Sequence, residues 1–284
     1  FTEISNNSYL ADLSNSLNHL RTENISQIVP SKNPSLFVVN SLGDAPDSNP
    51  GDGIPVSSNG SVTLRSAIQE ANVYPGVQTI YFYIPGNAPF NIQPTSPLPT
   101  ISSPVILDGT TQKGYNNLPL VEVKGSYGGL VLTGGGSSIQ GLRINNSSGF
   151  GLALSSVGGN NISANQVSGI LISSQGNSIN NNTISGSTGN GISIFAGAIN
   201  NLIGVTTANN ITGNAGYGLS ITNANGNQIS NNTFSTNTLG GILISNSAGI
   251  VTGNTISGNT GLGVTLVGGT GSQISNNTTK TNSG

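Results

Sequence analysis

Between Gly241 and Thr279 the chain alternates short apolar runs with stretches of Gly, Asn and Ser: Gly241-Ile-Leu-Ile, Gly249-Ile-Val, Gly253-Asn-Thr-Ile256, then Gly263-Val-Thr-Leu. Runs of three or four residues are too short for helices and long enough for strands, and the Gly-Asn and Ser-Gly dipeptides between them mark turns. The pattern repeats upstream. The glycine that opens the first run recurs at Gly129, Gly151, Gly169, Gly191, Gly218, Gly241 and Gly263, in steps of 22, 18, 22, 27, 23 and 22 residues.

Behind that glycine lie two apolar columns, Leu130, Leu152, Ile170, Ile192, Leu219, Ile242, Val264 and Leu132, Leu154, Ile172, Ile194, Ile221, Ile244, Leu266, with a mixed column between them. Pure columns flanking a mixed one are the period of a strand whose pure columns face inward. The second run supplies Ile162, Ile179, Ile203, Ile229, Ile250 and Ile274, and the third Val167, Ile184, Ile211, Phe234 and Ile256. Stacking equivalent strands in parallel buries these columns as one core. The predicted fold is all-β, a β-solenoid with three short strands per coil of about 22 residues.

A polar column accompanies the apolar ones: Asn165, Asn182, Asn209, Asn232, Asn254 and Asn277, followed five residues later by Ser187, Asn214, Asn237, Asn259 and Asn282. Asn tolerates left-handed backbone and suits a sharp turn. Stacked on itself it also passes amide hydrogen bonds from coil to coil, a structural ladder rather than a binding site.

Three segments are expected: an arm over 1–35, a capping module with the first coils over 36–124, and repeats over 125–284. In the arm, Leu10, Leu13, Leu17 and Leu20 fall at helical spacing and predict a short amphipathic helix that packs on the solenoid or docks on another subunit or a surface. In the middle segment Phe37-Val-Val39 reads as a strand and Asp44–Gly53 as a turn-rich loop. Thr63 is a natural N-cap for a helix over 63–72, with Leu64, Ala67, Ile68 and Ala71 as its apolar face. Strands follow over 79–83, 104–107 and 120–123. A solenoid's first coil has an open apolar end, and this helix is the simplest cover.

Phe37-Val-Val-Asn-Ser-Leu-Gly-Asp44, Pro50-Gly-Asp-Gly53, Thr63-Leu-Arg-Ser-Ala-Ile-Gln-Glu-Ala-Asn72, Gln78-Thr-Ile-Tyr-Phe82, Pro97-Leu-Pro-Thr-Ile101 and Ile106-Leu-Asp-Gly-Thr-Thr-Gln112 resemble the CSLREA-type N-terminal module. In that family the module precedes right-handed parallel β-helix repeats in secreted and cell-surface bacterial or archaeal proteins. Ile139-Gln-Gly-Leu-Arg-Ile-Asn145 and Asn201-Leu-Ile-Gly204 resemble the repeats. The likeness, over about residues 36–284, implies right-handedness and an extracellular place. The paired Cys of the family motif are replaced by Pro55 and Val62.

Composition narrows the chemistry. Only 6% of residues are charged and the net charge is −2, so neither nucleic acid nor an anionic membrane is an implied partner. No apolar run has the length of a membrane span. Cys, Met and Trp are absent, which removes disulfides and thiolate metal sites. The chain opens on Phe1, as after removal of a secretion signal.

Many parallel β-helices cleave polysaccharides, which requires paired carboxyls, acids for a metal, or a base. All nine acidic residues precede Gly125, and from Gly125 to Thr279 the only charged residue is Arg143. The sole histidine, His19, lies in the arm. No enzyme is expected. Asp44, Asp47 and Asp52 could offer hard oxygen ligands to Ca²⁺, although their spacing is not that of an EF-hand and Asp is common in turns. No other cofactor is implied.

The expected role is extracellular and structural, a cell-surface or filament-forming subunit. Its expected partners are copies of itself, with surface polysaccharide as the partner of an alternative, adhesin-type reading. Nothing after Ile274 reads as a capping helix, so either the chain continues past Gly284 or another subunit covers this end; in the second case head-to-tail assembly is expected through Thr278, Thr279 and Asn282, with the arm as cover. Ice binding wants Thr-x-Thr arrays, and Thr265 has no threonine column above it.

Overall fold

The computed structural model describes residues 35–284. Among these residues the strands form three parallel sheets, of ten, nine and seven strands. Each sheet takes one strand per turn of a solenoid, so neighbours in a sheet are a whole coil apart in sequence. The first sheet runs from Leu36–Val39 to Gln273–Ser275, the second from Phe90–Ile92 to Thr278–Lys280, and the third from Leu130–Leu132 to Val264–Val267. The core is therefore a stack of aliphatic rungs.

The third sheet follows the expected columns rung by rung. Ile170 pairs with Ile192, Ile192 with Leu219, Leu219 with Ile242, and Ile242 with Val264. Ile242 and Ile244 are fully buried while Leu243 between them is half-buried. Leu266 keeps the register of Ile244 yet is 52% exposed, because it lies on the last strand of its sheet. The second sheet likewise stacks Val167, Ile184, Ile211, Phe234 and Ile256.

In the first sheet the expected column slips by one residue. Ile229 pairs with Val251, and Val251 with Ile274. Val251 is fully buried and Ile250 is 40% exposed. The turn decides between these adjacent β-branched residues. Ile162, Ile179, Ile229 and Ile274 each sit three positions before a ladder asparagine, and Val251 holds that distance to Asn254.

The glycine that opens each third-sheet strand is there for space. A Cβ on Gly218 would lie 2.7 Å from Phe234 Cδ1 and 2.8 Å from both Asn237 Nδ2 and the Gly241 carbonyl oxygen. No side chain fits where the coil passes so close to the next.

The asparagine ladders form as expected. Each backbone N–H and each Nδ2 from Asn165 through Asn254 donates to Oδ1 of the next asparagine, ending on Asn277. Ser187, Asn214, Asn237, Asn259 and Asn282 form the second ladder. A third ladder, unforeseen in the sequence, joins Asn160, Asn177, Asn201 and Asn227. The left-handed residue of the turn is generally not the ladder asparagine but the residue before it: Ala164, Asn181, Asn231, Gly253 and Asn276 in the first ladder, and Gly186, Gly213, Thr236, Gly258 and Thr281 in the second. One residue reverses the chain and the next satisfies the buried amides that the turn exposes.

Helix α1 (Leu64–Val73) is capped by Thr63, whose side chain accepts from the Ser66 amide while the Ser66 hydroxyl accepts from the Thr63 amide. Its buried face is Leu64, Ala67, Ile68 and Ala71, continuous with the core. Burial of such a stripe supplies most of a short helix's stability.

Candidate functional site

The outer face of the second sheet is a regular polar surface along the repeats. Because Ile184, Ile211, Phe234 and Ile256 point inward, the residues on either side point outward. Gln166, Thr183, Asn210, Thr233, Thr255 and Thr278 form one rank, and Ser185, Thr212, Ser235, Ser257 and Lys280 a second. Neighbouring hydroxyls bond along the second rank, with Ser235 Oγ donating to Thr212 Oγ1 at 3.0 Å. Thr265 indeed pairs with Leu243, but a threonine rank exists on a different sheet. Each third run contributed only its central Ile or Phe to the sequence columns, and the flanking Thr and Ser were the signal.

This face carries hydroxyl and amide groups, donors and acceptors without charge, from Gln166 to Thr278. Upstream it turns ionic: Glu122 pairs in register with Arg143, whose Nε donates to Gln166 Oε1 at 2.8 Å. The hydroxyl ranks offer no general acid or base. They suit neutral, hydrogen-bonding material.

The expected assembly residues lie on the last coil. Thr278 and Thr279 are exposed and Asn282 is half-buried, receiving the Asn259 amide at 3.1 Å. Thr279 and Asn282, with Val264, Ile274 and Asn277, line an open hollow of about 580 Å³. Leu10, Leu13, Leu17, Leu20 and His19 lie outside the described residues.

The structure puts the three aspartates of the loop to different uses. Asp44 faces Arg65 of α1 through two parallel bonds of 3.0 Å and also accepts from the amide and hydroxyl of Thr95, both at 2.8 Å. Burial works against its charge, but Arg65 and Thr95 outweigh it and hold the carboxyl below its ordinary range. Asp52 caps its own turn, accepting from the Ile54 amide and from Asn49. Asp47 is buried; its Oδ1 accepts from the Asn49 amide, and its Oδ2 has no hydrogen-bond partner among the described residues. Burial pushes Asp47 up to about 6 against the pull of the Asn49 amide, with the Glu70 carboxylate and Asp52 adding to the rise. Among the described residues no group of three or more His, Cys, Asp or Glu side chains is placed to hold a metal ion.

The sequence reading overlooked Glu70. It is fully buried on α1, and its two carboxylate oxygens accept the amides of Gly51 and Gly53. Its position beside the apolar stripe of α1 was the available signal.

Residues 168–284 match the family described as the right-handed β-helix region. The fold is a right-handed parallel β-helix. Comparison with curated proteins finds no match. Among the described residues no helix of this β-helix is long and apolar enough to cross a membrane.

Proposed function

We propose that the chain is a non-catalytic structural β-helix that works outside the cell, at a surface or in a filament, with the 36–124 segment as a CSLREA-type cap. The observation that carries this reading is the wall itself. From Gly125 to Thr279 it holds one charged residue, Arg143, and the outward ranks of its second sheet between Gln166 and Thr278 are Ser, Thr, Asn and Gln. Three asparagine ladders and three continuous sheets suit a stiff rod more than a chemical site.

Copies of the chain are the proposed partner. Strands Gln273–Ser275 and Thr278–Lys280 each have a neighbour on one side only, and Ile274 is 40% exposed although it continues the buried column. Such an edge is completed by any following coil, whether from further chain or from a second copy. Light scattering across rising concentration tests this. Growth of the wild type with a monomeric Ile274→Asp variant supports end-to-end assembly, and a wild type that stays monomeric removes it.

The second-sheet hydroxyl ranks favour a second reading, adhesion to neutral polysaccharide. Retention on uncharged glucans that is lost in Thr233→Lys supports it. Turnover of any polysaccharide that survives repurification and is lost on substitution of a wall residue overturns the non-catalytic reading.

A further inference from the structure

Two buried carboxyl groups meet where the 44–57 loop crosses helix α1. Asp47 is 8% exposed and Glu70 is not exposed at all. Asp47 lies within hydrogen-bonding reach of the Glu70 carboxylate, yet its Oδ2 has no donor. Two ionised carboxylates are acceptors only, so a contact of this kind requires a proton between them. Both oxygens of Glu70 already accept amides, from Gly51 and Gly53, whereas Asp47 Oδ2 is unengaged among the described residues. The proton then falls to Asp47.

Among the described residues no neighbouring cation takes its place. Arg65, the cation of this part of the helix, is occupied by Asp44 and by the Ser96 and Pro97 carbonyl oxygens. The remaining titratable neighbours are Asp52, whose charge adds to that of Glu70, and Tyr74, whose ring lies against Gly53. On the other side of Asp47, its own amide donates to Gln69 Oε1 at 2.8 Å, so the loop is fixed against α1 at both ends of that residue.

We propose that Asp47 and Glu70 share a single proton, and that this proton clasps the 44–57 loop to the capping helix, making the cap a pH-sensitive latch. The proton joins Asp47 Oδ2 to Glu70, and Glu70 in turn holds the Gly51 and Gly53 amides. Loss of the proton sets two buried negative charges against each other and releases that chain of bonds. The folded Asp47 titrates near 6 against an ordinary value of 3.8. The latch is therefore fully present at low pH and lost as pH rises through 6.

Amide hydrogen exchange at Gly51 and Gly53 of the full chain, corrected for the intrinsic pH dependence of exchange, reads the latch directly. Protection at both amides should fall by about a hundredfold between pH 4 and pH 7, and then level off. Asp47→Asn, whose amide donates to Glu70 at every pH, should keep its protection across that range. Glu70→Gln changes the baseline, since it replaces one acceptor oxygen by a donor, but should also abolish the pH response. Wild-type protection that stays flat, or Asp47→Asn falling in parallel with the wild type, overturns the proposal. Calcium chloride at pH 7 should restore nothing; recovery of protection by calcium would assign the gap to a cation and overturn it too.

Discussion

Asn209 gives both its backbone N–H and its side-chain Nδ2 to the same atom, Oδ1 of Asn232 one coil further on, at 3.1 and 2.8 Å. Asn232 then repeats the arrangement toward Asn254 at 2.9 and 3.2 Å, while its Nδ2 also reaches the Ile203 and Ser230 carbonyl oxygens. One fully buried side chain therefore serves backbone groups of two coils.

Asn232→Ala removes the buried acceptor of the Asn209 amide and the Nδ2 donor to the Ile203 and Ser230 carbonyls, at a cost of about 3 kcal/mol. The isosteric Asn232→Asp retains the acceptor but loses the donor and buries a charge, so it should be no better than Ala. Urea unfolding followed by far-ultraviolet circular dichroism measures both. A loss below about 1 kcal/mol for Asn232→Ala would show that the ladder does not hold the coils together.

Ala164 adopts φ of 56° at a corner where other coils use Gly or Asn. An L residue there costs about 1–2 kcal/mol, which glycine avoids. Ala164→Gly should therefore raise stability by about 1 kcal/mol, less the extra entropy of the unfolded chain. An unchanged or lowered urea midpoint would mean that the Ala164 methyl contributes more packing than the turn costs in strain.

Much of the fold was legible because strand period and glycine spacing report independently on the same coil. Leu219, Ile242 and Ile244 could be placed from the column alone. The slip at Ile250 came from two adjacent β-branched residues that fit a strand equally well. Distance to the turn asparagine separates them, and that spacing lay in the sequence. The third ladder was harder to see because it is short: Ser137 precedes Asn160 in the stack and Gly249 takes the register position after Asn227. The loop acids were least legible. Asp44, Asp47 and Asp52 have the same chemistry within one turn-rich stretch, and only folding onto α1 gives one to Arg65, one to Glu70 and one to its own turn.

The strand registers make paired predictions. Ile244→Asp and Val251→Asp each bury an unpaired carboxylate and should prevent folding or cost about 4 kcal/mol or more. Leu243→Asp and Ile250→Asp place the same charge on the outside and should cost about 1 kcal/mol or less. Soluble yield and urea midpoints of the four variants decide the matter. Equal damage within either pair would mean that its register is wrong.

Asp44 and Asp47 stand three residues apart and should respond to acid in opposite directions. Asp44 is held below its ordinary 3.8 by Arg65 and Thr95, which outweigh burial. Its contribution is present above about pH 4 and lost as pH falls through its folded value. Asp47 is held up at about 6, so its contribution is lost as pH rises from 4 to 6. The cap should therefore be most stable near pH 4 and weaken on both sides. Arg65→Met removes a cation whose side chain is 11% exposed and leaves Asp44, 10% exposed, without its ion pair, at a cost of about 3 kcal/mol at neutral pH. Without Arg65 the loss below pH 4 should shrink, because Asp44 no longer resists protonation in the folded state. The fall between pH 4 and 6 should persist, because Asp47 and Glu70 are untouched. Amide exchange of the 44–57 loop at pH 3, 4, 5 and 7 in both proteins separates the two arms. An acid arm unchanged in Arg65→Met would show that Asp44 owes its low value to Thr95 alone.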